Sequence, residues 1–223
     1  MHKYLSLLIV LLLPLFIYSQ DKNLKRYEFE NGYAEKITKV VSSALESETI
    51  EKIYISEWGL KEVHIKHEKR NIKMINKIDE SNSVSILDGK WMINYNPDTK
   101  EGTKMENPFY DKMSSLDQST LQNFGEQMKG AFNTTTTELP NENILGFDCK
   151  VTEAVSEIAG MKTTVKMWLF KNFGLKLQSD GMGTSTSETV TVFKEGEKPI
   201  ESVFTVPTDV KITEAKNNPL FKK

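Results

Sequence analysis

Large apolar and polar residues alternate along most of this chain, with a period of two. In Trp91-Met92-Ile93-Asn94-Tyr95 the large side chains recur at every second position. In Val165-Lys166-Met167-Trp168-Leu169-Phe170 one side carries Val165, Met167 and Leu169, and the other carries Lys166, Trp168 and Phe170. That composition predicts a strand covered on both faces. Phe173, Leu175 and Leu177 alternate with Gly174, Lys176 and Gln178, and the sets Cys149, Val151, Val155 and Val190, Val192 behave likewise. Successive strand residues point to opposite faces, so this spacing predicts strands with a buried side. The Thr, Val and Ile content suits a pleated surface.

Turn residues fall between the runs. Asp88-Gly89 predicts a tight hairpin between Ser83–Leu87 and Lys90–Tyr95, and Asn31-Gly32 gives the same signal near the start. Asn96-Pro97-Asp98, Asn172 to Gly174, Asp180-Gly181-Met182-Gly183 and Glu195-Gly196 mark further turns. Short connections between consecutive strands predict an antiparallel meander.

One segment departs from this period. Met113, Leu116, Leu121, Phe124, Met128 and Phe132 recur at helical spacing, and Ser119 with Gln122 resembles a capping box. A helix is expected from about Leu116 to Ala131, although Gly125 weakens its interior. Thr134 to Thr137, followed by Pro140, reads as a linker or exposed loop. Glu35 to Leu45 fits helix and strand equally. Residues 213–223 are polar and are expected to form a poorly ordered tail.

The first residues form a different unit. His2 and Lys3 precede an apolar run from Leu5 to Ile17, broken only by Ser6 and Pro14. A secretory leader has an apolar centre of about 7–15 residues, whereas a spanning helix needs about 20. Residues 1–19 are therefore expected to be a signal peptide cut after Ser19, leaving 20–223 as one domain. No Cys follows the run to carry a lipid anchor. No transmembrane segment is expected in the mature chain. The expected destination after cleavage is the periplasm of a Gram-negative bacterium, or the medium.

Charge and cysteine narrow the function classes. The chain has 29 basic and 31 acidic residues, a net charge of −2. This gives no electrostatic case for nucleic acid. Lys and Glu are interspersed, so no basic block is expected to steer the chain to acidic head groups. Cys149 is the only cysteine, which excludes an internal disulfide. Its phase with Phe147 and Val151 predicts a buried core thiol.

Catalytic and metal signatures are sparse. His64 and His67 stand three apart on a predicted strand, so they point to opposite faces and do not share a metal. They are read as exposed strand histidines. No nucleophile elbow occurs, and Gly181-Met182-Gly183 lacks the third glycine of a phosphate loop and reads as a turn. Acidic pairs such as Glu28/Glu30 and Asp79/Glu80 read as solvated strand faces. No metal, cofactor or catalytic residue is assigned. Methionines at 92, 105, 113, 128, 161, 167 and 182 suit adaptable apolar packing.

Several short motifs carry a resemblance. Phe204-Thr205-Val206-Pro207 precedes a short final strand. Ile144-Leu145-Gly146-Phe147-Asp148-Cys149-Lys150-Val151 precedes the Trp168 strand, and Gly89 to Lys100 forms a strand ending in a turn. Over roughly Glu51 to Ile212 the chain resembles the outer-membrane lipoprotein-carrier (LolA/LolB-like) superfamily, and most closely its uncharacterised bacterial envelope domains. The resemblance implies an α+β, mainly β fold: a curved antiparallel sheet, an open half-barrel, with one or two helices on its concave face. It implies a cavity for acyl chains, lined by Trp91, Ile93, Tyr95, Val165, Met167 and Leu169 from the sheet and by Leu121, Phe124 and Met128 from a covering helix. The carrier's characteristic arginine has only Arg70 and Arg26 as counterparts here.

Three functions follow as expectations. The first is an exported protein binding a lipid or other apolar small molecule, without catalysis. The second is a non-catalytic envelope module with a filled core and a protein partner. The third is an unrecognised hydrolase.

Overall fold

The computed structural model describes residues 25–107, 134–158 and 160–214. The leader at residues 1–19 and the helix expected at Leu116–Ala131 lie outside them. The strands are β1 (Gly32–Ser42), β2 (Leu45–Ser56), β3 (Lys61–Ile72), β4 (Lys77–Asp88), β5 (Trp91–Asn96), β6 (Glu101–Glu106), β7 (Thr135–Ile144), β8 (Phe147–Ile158), β9 (Met161–Phe170), β10 (Phe173–Gly181), β11 (Thr184–Glu195) and β12 (Lys211–Glu214). They form a single sheet in the order β12-β6-β5-β4-β3-β2-β1-β11-β10-β9-β8-β7, open at β12 and β7. All neighbours are antiparallel except β12, which runs parallel to β6.

The architecture is thus the mainly β, open antiparallel sheet expected, built from two meanders. β1 to β6 form the first and β7 to β11 the second. β1 pairs with β11 to join them. The segment Glu35 to Leu45 resolves as strand, ending β1 and opening β2.

Turn chemistry explains most connections. The Asp88-Gly89 hairpin is present, with Gly89 at φ 50° in its first central position. Lys90 has no positive φ, so the turn is of type II′ rather than I′. Leu145-Gly146, Lys171-Asn172 and Met182-Gly183 each have two positive φ values, the type I′ signature. Asn31-Gly32 is not a hairpin. Gly32 opens β1, and Asn31 accepts from the Gly196 amide through its carbonyl.

The Thr134–Thr137 stretch is also not a linker. It enters β7, an edge strand, and the β7–β8 register shifts between Leu139 and Glu142, where Pro140 sits. The four threonines favour extended backbone, and a proline is tolerated at an edge or bulge because no ladder donor is needed there.

The sheet curls. Phe147 of β8 and Phe193 of β11 have ring centroids 5.2 Å apart. Three strand spacings on a flat sheet would place them about 14 Å apart. Two irregularities accompany the bend: one in the β1–β11 register between Glu35 and Lys36, the other in β9–β10 between Gly174 and Lys176. The β10–β11 pairing stops at Lys176 and Thr189. Beyond it Tyr27, Phe29, Phe147, Phe170, Phe173 and Phe193 pack ring on ring. This aromatic group belongs to the larger core, with Ala34, Ile53, Ile55, Cys149, Val151, Trp168, Leu175 and Val190. Cys149 is fully buried, as its phase predicts.

A smaller core lies elsewhere. Val63, Val84 and Ile86 are covered by Val203, Phe204 and Val206, with Tyr54, Ile93 and Tyr95 at the margin. The chain after β11 therefore crosses this face before adding β12 at the far edge.

Gly102 marks a close approach between β5 and β6. A Cβ there would stand 2.5 Å from Tyr95 Cβ and 2.6 Å from the Asn94 carbonyl oxygen. Gly102→Val is expected to destabilise by about 1–3 kcal/mol, the range for overpacking. Urea denaturation monitored by circular dichroism measures this.

Candidate functional site

Residues opposite each other across a ladder share a face, so the register sorts the side chains. Lys36 pairs with Glu51, and Glu51 with Lys66. Glu62, His64 and Lys66 alternate along β3, so all three lie on that face. Glu188 of β11 pairs with Thr38 and joins them. We call this the ionic face.

Seven side chains meet there. His64 Nδ1 is 2.8 Å from Glu51 Oε1, and its Nε2 is 3.0 Å from Glu62 Oε2. Lys36 Nζ lies 2.9 Å from Glu51 Oε2 and 3.1 Å from Glu188 Oε2. Lys66 Nζ is 3.1 Å from Glu51 Oε1. Arg26, in the segment preceding β1, places Nη1 3.0 Å from Glu62 Oε1. Glu51 and Glu62 are each 2% exposed.

Electrostatics fixes the protonation states. Burial alone would raise the Glu51 carboxyl. The hydrogen bond from His64 and the charges of Lys36, His64 and Lys66 outweigh burial and hold the group well below the usual carboxylate range. Glu62 is likewise lowered, burial being overcome by Arg26 and His64. Burial would depress the His64 pKa, but its two carboxylate partners raise it above the ordinary value. An imidazolium donates from both ring nitrogens, which is what two flanking carboxylates require. Lys36 is also raised: burial opposes its charge, and Glu188 and Glu51 more than compensate.

Sequence reasoning missed this cluster. His64 and His67 do point to opposite faces, and exposed His67 meets Asn82. His64, however, is not an exposed histidine, since its side chain is only 27% exposed and both nitrogens are engaged. The available signal was Glu62-x-His64-x-Lys66 interleaved with Val63 and Ile65. Such a strand reads equally as one apolar face and one solvated face. Only pairing with Glu51 and Lys36, 11 to 30 positions away in sequence, removes the charges from water.

The ionic face continues into an apolar strip. Met167 pairs with Leu177, and Leu177 with Glu188. Val165 pairs with Ala154. Ala154, Val165 and Met167 are buried at 4%, 3% and 8%, and they belong to neither packed core described above. Leu169 follows on the same side. Across β8, β9, β10, β11, β1, β2 and β3 the face therefore passes from apolar to ionic.

The other sequence-predicted lining residues lie elsewhere. Ile93 pairs with Ile86, and Ile86 with Val63, so Ile93 and Tyr95 share the opposite face with the smaller core. Trp91 is on that face too, with Lys104 Nζ 4.1 Å and Lys90 Nζ 5.5 Å from its ring centroid. The sheet thus brings Val165, Met167 and Leu169 together and separates them from Trp91, Ile93 and Tyr95. Leu121, Phe124 and Met128 lie outside the described residues. Arg70 stands on the ionic face, opposite Ser47 and Asp79, with Nε 3.8 Å from Glu68 Oε2.

Among the described residues, no group of three or more His, Cys, Asp or Glu side chains is arranged to hold a metal ion. No helix among them is long and apolar enough to cross a membrane.

Comparison with known proteins gives fold likenesses only. No family model matches the chain, and no curated protein matches it. Among solved structures, a putative outer membrane lipoprotein-sorting protein domain from Vibrio parahaemolyticus is similar, at 11% identity and TM-score 0.35, covering 78% of this chain and 89% of that one. LprF from Mycobacterium bovis aligns at 9% identity and TM-score 0.38, covering 81% and 90%. MucB, solved in complex with MucA, aligns at 9% identity and TM-score 0.42, covering 82% of this chain and 57% of that one. The superpositions are loose and concern the outline of the fold, not a ligand or a partner.

Proposed function

We propose that this chain is an exported, non-catalytic envelope protein that binds an amphiphile along its ionic face. The acyl or other apolar part lies against Ala154, Val165, Met167, Leu169 and Leu177. The polar end lies toward Glu188, Lys36 and Lys66. The single observation supporting this reading is the passage from apolar to ionic side chains along one continuous face. An amphiphile matches that gradient, and each methylene withdrawn from water contributes about 0.8 kcal/mol.

The same geometry argues against His64 as a general base. Both its nitrogens are held by carboxylates, and its pKa is raised rather than poised for proton abstraction. The second reading, an interaction module with a filled core, is favoured by the ring-on-ring packing of Phe29, Phe173 and Phe193.

Native mass spectrometry of the protein purified after export discriminates the two. The proposal expects a co-purifying amphiphile, lost in Met167→Asp while the far-ultraviolet circular dichroism spectrum is retained. Wild-type protein that carries no adduct and binds no added fluorescent fatty acid would favour the filled module. Met167→Ser provides a milder variant if the charged one does not fold.

A further inference from the structure

The connection between β3 and β4 is unusual for a surface hairpin. It consists of a 3-10 turn at Lys73–Ile75 and Asn76 at φ 49°. Such tips are commonly built from Gly, Asn, Asp, Ser and Pro, which satisfy turn geometry and water together. Here Met74 is 80% exposed, Ile75 65% and Ile78 62%. Three adjacent large apolar side chains held in water at a tip have no partner among the described cores.

The tip is also sorted by charge. From Lys69 to Ile78 the chain carries Lys69, Arg70, Lys73 and Lys77, and no acidic residue. The acidic partners stand outside that stretch: Glu46 with Lys73 at 2.7 Å, Asp79 with Lys77 at 2.7 Å, Glu80 with Lys69 at 3.1 Å and Glu68 with Arg70 at 3.8 Å. These pairs lie at the surface and hold loosely, so the cations remain available to other anions. The linear sequence contains no long basic block, but the hairpin gathers two lysines around the apolar apex.

The tip is anchored rather than loose, because the Lys73 amide donates to the Ala44 carbonyl in the β1–β2 turn, 3.0 Å away. Register places further exposed apolar residues at this end of the sheet. Val41 near the end of β1 is 48% exposed, and Met161 at the start of β9 is 40% exposed.

We propose that this end of the sheet docks on the surface of a membrane containing acidic lipids. Met74, Ile75 and Ile78 enter the boundary between head groups and acyl chains, while Lys73 and Lys77 meet lipid phosphates. Lysine suits this position because its apolar stem follows the inserted side chains and its ammonium stays with the head groups. The anionic surface supplies the attraction that a purely apolar partner would not. The docking is independent of the ligand reading, since none of these residues belongs to the apolar strip or the ionic cluster.

Flotation of the purified exported protein with vesicles tests it. One set is phosphatidylethanolamine with phosphatidylglycerol, and the other is phosphatidylcholine alone. Wild type is expected to float with the acidic vesicles and to be released by salt. Met74→Asp with Ile75→Asp is expected to lower partitioning about tenfold or more, given that apolar burial and charge act together. Lys73→Glu with Lys77→Glu should abolish the preference for acidic vesicles. Ile200→Asp, which removes an equally exposed apolar residue elsewhere (69%), should leave flotation unchanged. Ile78→Ser replaces the double aspartate variant if that one does not fold. Wild type that floats with neither vesicle overturns the proposal and returns the tip to a protein partner. Equal flotation with both vesicles, or unchanged flotation of the tip variants, also overturns it.

Discussion

Glu51→Ala is expected to lower the unfolding free energy by about 3–5 kcal/mol, the range for removing one partner from a buried ionic group. The carboxylate is almost wholly shielded and faces three cations, Lys36, His64 and Lys66. Without it Lys66 loses its partner, and His64 is left with Glu62 alone. The pH dependence gives an independent signature. Glu51 and Glu62 have lowered folded pKa values, so their contribution is present above the ordinary 4.5 and is lost as pH falls through the lowered values. His64 is shifted the other way. Its contribution is complete below the ordinary 6.5 and is lost as pH rises through the raised folded value. Wild-type stability should therefore be greatest between those limits, and Glu51→Ala should flatten both limbs. Urea denaturation across pH measures this. A loss below about 1 kcal/mol, typical of exposed pairs, together with unchanged limbs, would show that the cluster is screened by water.

Trp168→Ala is expected to cost about 3–5 kcal/mol, as for other large aromatic truncations in a core. The indole is 2% exposed and packs in the larger core with Cys149, Val151 and Leu175. Its Nε1 donates to Glu142 Oε2 at 2.8 Å, and Lys166 and Lys176 stand 4.6 Å and 4.4 Å from its centroid. Trp168→Phe keeps much of the apolar volume and should lose clearly less. Guanidinium denaturation of the two variants separates packing from the polar contacts. Equal losses would assign the effect to the Glu142 bond and the lysines instead of to volume.

The fold was legible where the physics is local. Alternation in Val165 to Phe170 placed a strand buried on both sides, and Val165, Met167 and Trp168 are indeed buried. Asp88-Gly89 placed a hairpin, and the positive φ falls on Gly89 at the first central position. Thr134 to Pro140 misleads because an exposed edge strand is polar on both faces, which hides the β-branching that favours extended backbone. Asn31-Gly32 misled because a turn dipeptide carries its meaning only between strands that pair with each other. The candidate site was half legible. The strip of Val165, Met167 and Leu169 follows from period two. Parity between distant strands depends on register, so Ile93 and Tyr95 could not be assigned a face in advance. The ionic cluster needed Lys36, Glu51, His64 and Glu188 brought together from four strands, and no local pattern encodes that.

The seam between the two meanders has a kinetic consequence. β1 meets β11 through residues some 150 positions apart, Gly32 with Glu195 and Ser42 with Thr184. Every other antiparallel pairing joins consecutive strands. Hairpins close early because little chain entropy is lost, whereas a distant pairing waits on a long loop. Lys36 and Glu188 face each other across this seam. The charged group at the centre of the molecule is therefore completed only when the last long strand arrives. Until then Lys36 lacks Glu188, on a half-sheet whose β1 edge is still unpaired.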